Sequence, residues 1–235
     1  MRQACGSAYL IGAGGVGGWL ASLLAKAFRG TSLVIWDGDT VERKNLDRQF
    51  YAESDIGQFK ASALAKRLQA DNPRASVVPK DKYFDINLFD SGKAGRLQAV
   101  FVGADNHVAR AAALAIGDRA MCPVVVAANE YVTAEAYYYN PQWVGTPLDP
   151  RLYFPDLLTD VTHDPLAPAC TGEGEAAPQL ALSNMQAAAY GAWLYRFHTE
   201  EAETVPDRSS WPVHVSNNFA RVRIRTLGEL EGKAA

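Results

Sequence analysis

Cysteine is scarce and dispersed in this chain: Cys5, Cys122 and Cys170 are the three among 235 residues. No two of them form a Cys-x-x-Cys pair, which excludes a disulfide framework and a paired-cysteine zinc site within one chain, and a reducing compartment fits best. Long apolar runs are also missing, and none reaches the roughly 18 residues that a membrane helix needs. Positive charge is not in surplus, since 23 Lys and Arg stand against 26 Asp and Glu for a net charge of −3. No global field therefore gathers nucleic acid or anionic lipid, and any anion site has to be local. The first residues run straight into Ser7-Ala8-Tyr9-Leu10-Ile11 with no cleavable leader pattern, so a cytoplasmic setting is expected.

What remains is a composition of 48% hydrophobic and 21% charged residues, enough to bury a large core. Up to about Asn129, short apolar runs alternate with stretches of helix length. Ala8–Ile11, Ser32–Trp36, Ala99–Val102 and Val124–Val126 read as buried strands, and 19–28, 60–70 and 108–120 as helices. Such alternation predicts βαβ units and a parallel, Rossmann-like sheet. Residues 143–178 are rich in Pro, Thr, Asp and Gly and read as a long loop; 180–197 has helical spacing. His214-Val215 and the alternating Arg221-Val222-Arg223-Ile224-Arg225 read as half-exposed strand.

The first chemical signal is Gly12-Ala13-Gly14-Gly15-Val16-Gly17-Gly18, set between a strand and a helix. Glycines there let the backbone turn tightly and aim N–H groups and a helix N-terminus at phosphate. Asp37, 20 residues after Gly17, stands where a carboxylate accepts hydrogen bonds from ribose hydroxyls. These two features alone fit a dinucleotide as well as a triphosphate. The next segment adds Asp39, Asn45, Arg48, Gln49 and Lys60 within 24 residues of Asp37. Acids, amides and two cations so close to a phosphate loop suit ribose contacts and charge clamps on a triphosphate better than hydride transfer.

In order and spacing the sequence resembles the ThiF/MoeB/HesA family, bacterial relatives of ubiquitin-activating enzymes. The resemblance rests on the glycine loop, Asp37-x-Asp39-x-Val41-x-x-x-Asn45-Leu46-x-Arg48-Gln49, Asp55-Ile56-Gly57-x-x-Lys60, Asn72-Pro73 and Asp105-Asn106-x-x-x-Arg110. It implies an ATP-dependent adenylyltransferase, with Gly12, Gly14, Gly15, Gly17, Asp37, Asp39, Asn45, Arg48, Gln49 and Lys60 around ATP. Asp105 would carry Mg²⁺, and Arg48, Lys60, Asp105 and Cys170 would be the catalytic set. The implied fold is α/β, a Rossmann-like, mostly parallel sheet with flanking helices, extended by antiparallel C-terminal strands. A single domain over 1–235 is expected, with 1–130 as the nucleotide-binding half and 131–235 as the half that meets the substrate tail.

Asp39 is expected to orient Arg48 and Lys60, to take part in metal binding or to cap a loop. Arg110 either anchors its helix through an ion pair or touches nucleotide. His107 opens a helix, with a surface role favoured over catalysis. Cys170 is either a covalent acceptor after adenylation or an ordinary thiol, while Cys5 and Cys122 read as small core hydrophobes. The family's paired zinc cysteines are not present, and Tyr137-Tyr138-Tyr139 stands near where the first pair would fall, so structural zinc is not expected. The resemblance also implies a preceding helix whose arginine reaches a partner subunit's ATP; with the first strand beginning by about Ser7 it is not expected here, and Arg2 could substitute. The Arg221, Arg223, Arg225 stripe suits a solvated face or an acidic partner tail better than nucleic acid.

The substrate implied is the C-terminal Gly-Gly tail of a small ubiquitin-like or sulfur-carrier protein, acted on by a homodimer away from any membrane. The alternatives are the same chemistry on a peptide or tRNA, an inactive nucleotide-holding scaffold, and a dinucleotide oxidoreductase.

Overall fold

The computed structural model describes residues 6–27, 31–89, 97–130, 132–159, 180–218 and 221–232. Eight strands form one sheet in the order β3-β2-β1-β4-β5-β6-β7-β8. The first five are β1 (Gly6–Ile11), β2 (Thr31–Trp36), β3 (Ser76–Lys80), β4 (Leu97–Val102) and β5 (Val124–Asn129), all parallel. Helices α1 (Gly15–Ala27), α2 (Lys60–Asp71) and α3 (His107–Ala120) supply the crossovers. Central strands covered on both faces have to be apolar throughout, and Ala99 to Val102 of β4 are all fully buried. β3, which the sequence reading missed, is short, half-exposed and contains Pro79, a residue that an edge strand tolerates.

After β5 the chain reverses. β6 (Ala134–Tyr139), β7 (Pro212–Asn217) and β8 (Val222–Thr226) join antiparallel. The three consecutive tyrosines gave no alternating signal, yet they form the second half of β6 because rings cover the sheet there. Tyr138 stacks on His198 with centroids 3.9 Å apart, and Tyr137 packs on Phe154 at 5.5 Å. Tyr139 donates to Asp118, whose other oxygen pairs with Arg151 at 2.8 Å. α6 (Ala181–Arg196) lies across β5 and β6, and Gly191 lets it approach until a Cβ there would be 3.3 Å from Ala127 and Val125.

Two expectations need correction. The segment from Trp143 is not a plain loop over its described part: α4 (Pro150–Tyr153) and α5 (Asp156–Thr159) are short helices, and Trp143, Leu148 and Leu157 are core residues. Pro150, one of the prolines of that segment, is at the start of α4 behind the cap Asp149, where a missing N–H costs nothing. The strand at 222–226 is also not half-buried. β8 is the last strand of the sheet, and Val222 and Ile224 are 63% and 46% exposed. A C-terminal helix, α7 (Leu227–Glu231), follows it. Cys122 is a buried free thiol, as expected, whereas Cys5 and Cys170 lie outside the described residues. Arg2 does too.

Candidate nucleotide site

The order of the sheet places a crevice where β1 and β4 lie side by side, since the chain leaves β1 toward β2 and leaves β4 toward β5. Ligands of open α/β sheets bind at the C-terminal ends of the strands at such a point. Gly12 and Gly103 occupy those two ends. Gly12 has φ +90°, which an L side chain rarely adopts. A Cβ on Gly17 would collide with the Gly12 carbonyl oxygen, and one on Gly103 would stand 2.6 Å from the Gly17 Cα. The loop, the first turn of α1 and the end of β4 thus meet backbone to backbone. Gly14 is different, because a Cβ there meets nothing within 4 Å. The space over the middle of the loop is open to a ligand.

Asp37 directly follows β2 and is buried. Its carboxylate accepts the Ala13 N–H at 2.7 Å and the Asp39 N–H at 2.8 Å, which ties the glycine loop to the second strand. Burial pushes its pKa up, against the attraction of Lys60. The other side of the Ala13 peptide is also held: the Tyr51 hydroxyl donates to the Ala13 carbonyl at 2.6 Å and to the Lys60 carbonyl at 3.2 Å.

The Asp37-Gly38-Asp39 turn and Lys60 are brought together by a short antiparallel bridge between Thr40 and Phe59. The Lys60 N–H donates to the Asp39 carbonyl at 2.8 Å, and its ammonium pairs with the Asp39 carboxylate at 2.7 Å. Gly57, at φ +83°, makes the turn that returns the chain to this bridge. Burial works to raise the Asp39 pKa, but Lys60 and the Tyr83 hydroxyl, which donates to the same carboxylate, outweigh it and hold it below the usual range.

Asn45 is buried and accepts the Glu42 N–H at 2.9 Å, so its carbonyl is used to fix the turn while its NH₂ remains a donor. Arg48 donates to the Lys44 carbonyl and, at 2.9 Å, to the Asp47 carboxylate. Asp39 therefore orients Lys60 but, among the described contacts, not Arg48. The backbone of Arg48 is held from far away in sequence: Asn184, fully buried on α6, donates from Nδ2 to the Arg48 carbonyl at 2.9 Å and fills the space beside Gly15. Gln49 has its Oε1 buried without a hydrogen-bond partner.

Asp105 is exposed just beyond β4, at the same crevice. Asn106 caps α3 by accepting the Ala109 N–H at 2.8 Å. His107 is the first residue of that helix, with Nδ1 buried and unpartnered. Asn72, from the Asn-Pro pair, ends α2 and ties it to α1 by donating to the Ala25 carbonyl at 3.0 Å. Asp55 is structural as well, accepting the Ala52 N–H and pairing with Arg67 at 3.1 Å.

Among the described residues no three of His, Cys, Asp and Glu cluster to hold a metal ion. A magnesium ion shared with phosphates needs only one or two protein carboxylates, and the exposed Asp105 beside an open phosphate loop fits that demand.

The family model described as the ThiF family matches residues 4–205. The chain belongs to the ThiF family. This ThiF domain is 40% identical over 102 residues to the Nedd8-activating enzyme E1 catalytic subunit of Drosophila melanogaster, covering 43% of the chain and 22% of that protein. It is 39% identical over 102 residues to the SAMP-activating enzyme E1 of Haloferax volcanii, covering 43% of the chain and 37% of that protein. A third relative, the tRNA threonylcarbamoyladenosine dehydratase of Escherichia coli, is 37% identical over 75 residues, with 32% and 28% covered. The matches thus span well under half the length of these curated relatives. Among solved structures, E. coli MccB with ATP superposes with TM-score 0.64 at 19% identity, over 96% of this chain and 64% of that one. At that identity the likeness concerns the fold. It agrees with the ThiF-like sheet described above.

Tyr51 and Asn184 are the site residues that sequence reasoning missed. Tyr51 directly follows the Arg48-Gln49-Phe50 string and was within reach of it. Asn184 is 136 positions from its partner, and nothing local marks it.

Proposed function

We propose that this ThiF domain is an ATP-dependent adenylyltransferase that activates the C-terminal carboxylate of a small ubiquitin-like or sulfur-carrier protein ending in Gly-Gly. The observation that carries this reading is the joined frame of Gly12–Gly18, Asp37, Asp39 and Lys60 at the β1/β4 crevice, in a chain whose relatives include enzymes named as E1 activators.

In this reading Asp37, already fixed by two backbone N–H groups, uses its remaining lone pairs for the ribose hydroxyls. The N–H groups around Gly14, Gly15 and Gly17 meet the phosphates at the start of α1. One carboxylate oxygen of the tail attacks the α-phosphorus, and the bond to the bridging oxygen breaks with its electron pair leaving on pyrophosphate. The products are an acyl-adenylate and pyrophosphate, with no proton transfer required. Lys60, held in place by Asp39, and Arg48 stabilise the charge that builds on the departing oxygens. Asn45 and Gln49 add amide contacts to the phosphates. Asp105 would hold Mg²⁺, whose charge offsets that of the phosphates. Cys170 is assigned to a later transfer step, because adenylation needs no thiol. A homodimer belongs to the same reading and is checked by light scattering.

The test is ATP–pyrophosphate exchange with Mg²⁺ in the presence of Gly-Gly-ended carrier proteins. Exchange that requires a carrier, is lost in Asp105→Ala and survives in Cys170→Ala is the expected result. ATP binding without exchange on any carrier would overturn the protein substrate and favour an RNA one, the class named by the tRNA dehydratase relative.

A further inference from the structure

Beside the nucleotide crevice lies a cleft of about 560 Å³ that the chemistry above leaves unused. Arg110, Glu130, Glu135, Ser216, Arg221 and Arg223 are among its lining. It opens at the C-terminal end of β5, the strand next to β4, and Arg110 is on α3, five residues past Asp105. The cleft and the nucleotide crevice therefore share one edge of the sheet.

Strand register explains its shape and charge. Across β6, β7 and β8, Glu135, Ser216 and Arg223 form one row, and Tyr137, His214 and Arg225 the next. Alternate residues of a strand share a face, so both rows look to the same side of the sheet. The small Ser216 between two long charged side chains leaves a gap in the first row. Glu135 is already engaged: the His214 imidazole lies 3.4 Å from its carboxylate, and that contact, with Arg110 and Arg225 nearby, holds its pKa below the usual range. The cations are not matched in the same way. Arg221, just before the last strand, and Arg223 on it are exposed, and among the described residues neither forms an ion pair. Arg110 has its Nε buried without a hydrogen-bond partner, and so does Arg225 behind it. Three guanidinium groups thus meet two carboxylates around the cleft, one of which is occupied. The exposed guanidinium groups of Arg221 and Arg223, with that of Arg110 beside Glu135, can take a carboxylate from outside.

We propose that this cleft binds an acidic side chain of the extended polypeptide segment upstream of the carboxylate that is adenylated, with Arg223 and Arg110 as the specificity-determining pair. The inference rests on the adenylation reading for the identity of that segment. It adds a requirement of its own: the substrate tail carries an Asp or Glu ahead of its terminal residues.

The experiment uses the full chain with ATP and MgCl₂, and fluorescein-labelled peptides ending in Gly-Gly in which one glutamate is scanned along the upstream positions. A matching series carries glutamine. One glutamate position is expected to bind on the order of tenfold tighter than its glutamine counterpart, as loss of a charge-assisted bidentate pair predicts. That ratio falls to about one in Arg223→Gln and Arg110→Gln, and Arg223→Glu reverses it toward a lysine peptide, which a merely structural arginine would not do. Equal binding of the two series, binding of neither, or an unchanged ratio in Arg223→Gln overturns the proposal. ATP affinity, measured on the same preparations, keeps the two readings apart. A chain that selects glutamate peptides but binds no ATP would sink the adenylation reading alone.

Discussion

Lys60 and Asp39 are joined twice, by a backbone hydrogen bond of 2.8 Å and by an ion pair of 2.7 Å between their side chains. The lysine is buried while the aspartate side chain remains 46% exposed. An ammonium fixed at this depth by a half-exposed carboxylate is pre-positioned for a second anion. The Lys60→Met variant removes that charge and keeps the stem, so exchange is expected to fall by about 100-fold or more. Because the pair is partly solvated, the stability change should stay within about 1–2 kcal/mol. Exchange rates and urea denaturation of the same sample check both halves.

Gly17 and Gly14 should separate folding from ligand binding. Gly17→Ala places a methyl on the Gly12 carbonyl, backbone against backbone, and should cost about 3 kcal/mol or more or prevent folding. Gly14→Ala meets open space and should fold with a melting temperature near that of the parent, yet bind ATP more weakly because the methyl enters the volume assigned to phosphate. Thermal melts and ATP titration of both variants decide this. Equal ATP affinity in Gly14→Ala would remove the phosphates from that position.

Tyr51→Phe deletes the donor to the Ala13 carbonyl and leaves a buried acceptor short of a partner. A loss of about 1–2 kcal/mol in stability is expected, together with weaker ATP binding, since Ala13 is also the loop's link to Asp37. Asn184→Ala should act on the other side of the site. It releases the Arg48 carbonyl, so exchange should fall more than ATP affinity does. Exchange and equilibrium binding measured side by side distinguish the two.

His198 supplies the pH dependence. It is enclosed by Tyr138, Trp143, Phe197 and Trp211, and burial lowers its pKa from 6.5 to about 4, partly opposed by its hydrogen bond to the Pro212 carbonyl. Between those two values the unfolded chain binds a proton that the folded chain does not. Stability therefore rises with pH from about 4 to 6.5 and is lost as pH falls through that window. Asp39 acts lower down: its depressed pKa stabilises the fold above 3.8 and ceases to do so as pH falls through the lower folded value. Urea denaturation from pH 4 to 7 should show the first slope in the parent and a shallower one in His198→Gln.

The N-terminal half was the more readable one because its motif residues sit at the ends of strands in regular βαβ units. Gly12 and Gly17 serve one tight turn, and Asp37 and Lys60 follow at the end of β2 and the start of α2, so spacing along the chain translates into position. The C-terminal half was read less well. Apart from the partly buried Glu135, β6 consists of small and aromatic residues that are buried on both faces, which erases the two-residue period. Pro141 and Pro150 mark starts of helical turns as readily as breaks. Arginines in β8 alternate as a half-buried strand would, but the residues between them, Val222 and Ile224, are exposed as well.

By itself, the sequence determined the family, the parallel half of the sheet and the order of the glycine loop, acid and lysine around it, because those follow from motifs placed within single βαβ units. Only the tertiary structure decided that Asn184 on α6 holds Arg48, that Tyr51 holds Ala13, and that Arg110 and Arg223 face the same cleft. Those contacts arise from sheet register and helix packing between segments up to 136 residues apart, and no local pattern encodes a distance that the whole fold has to close.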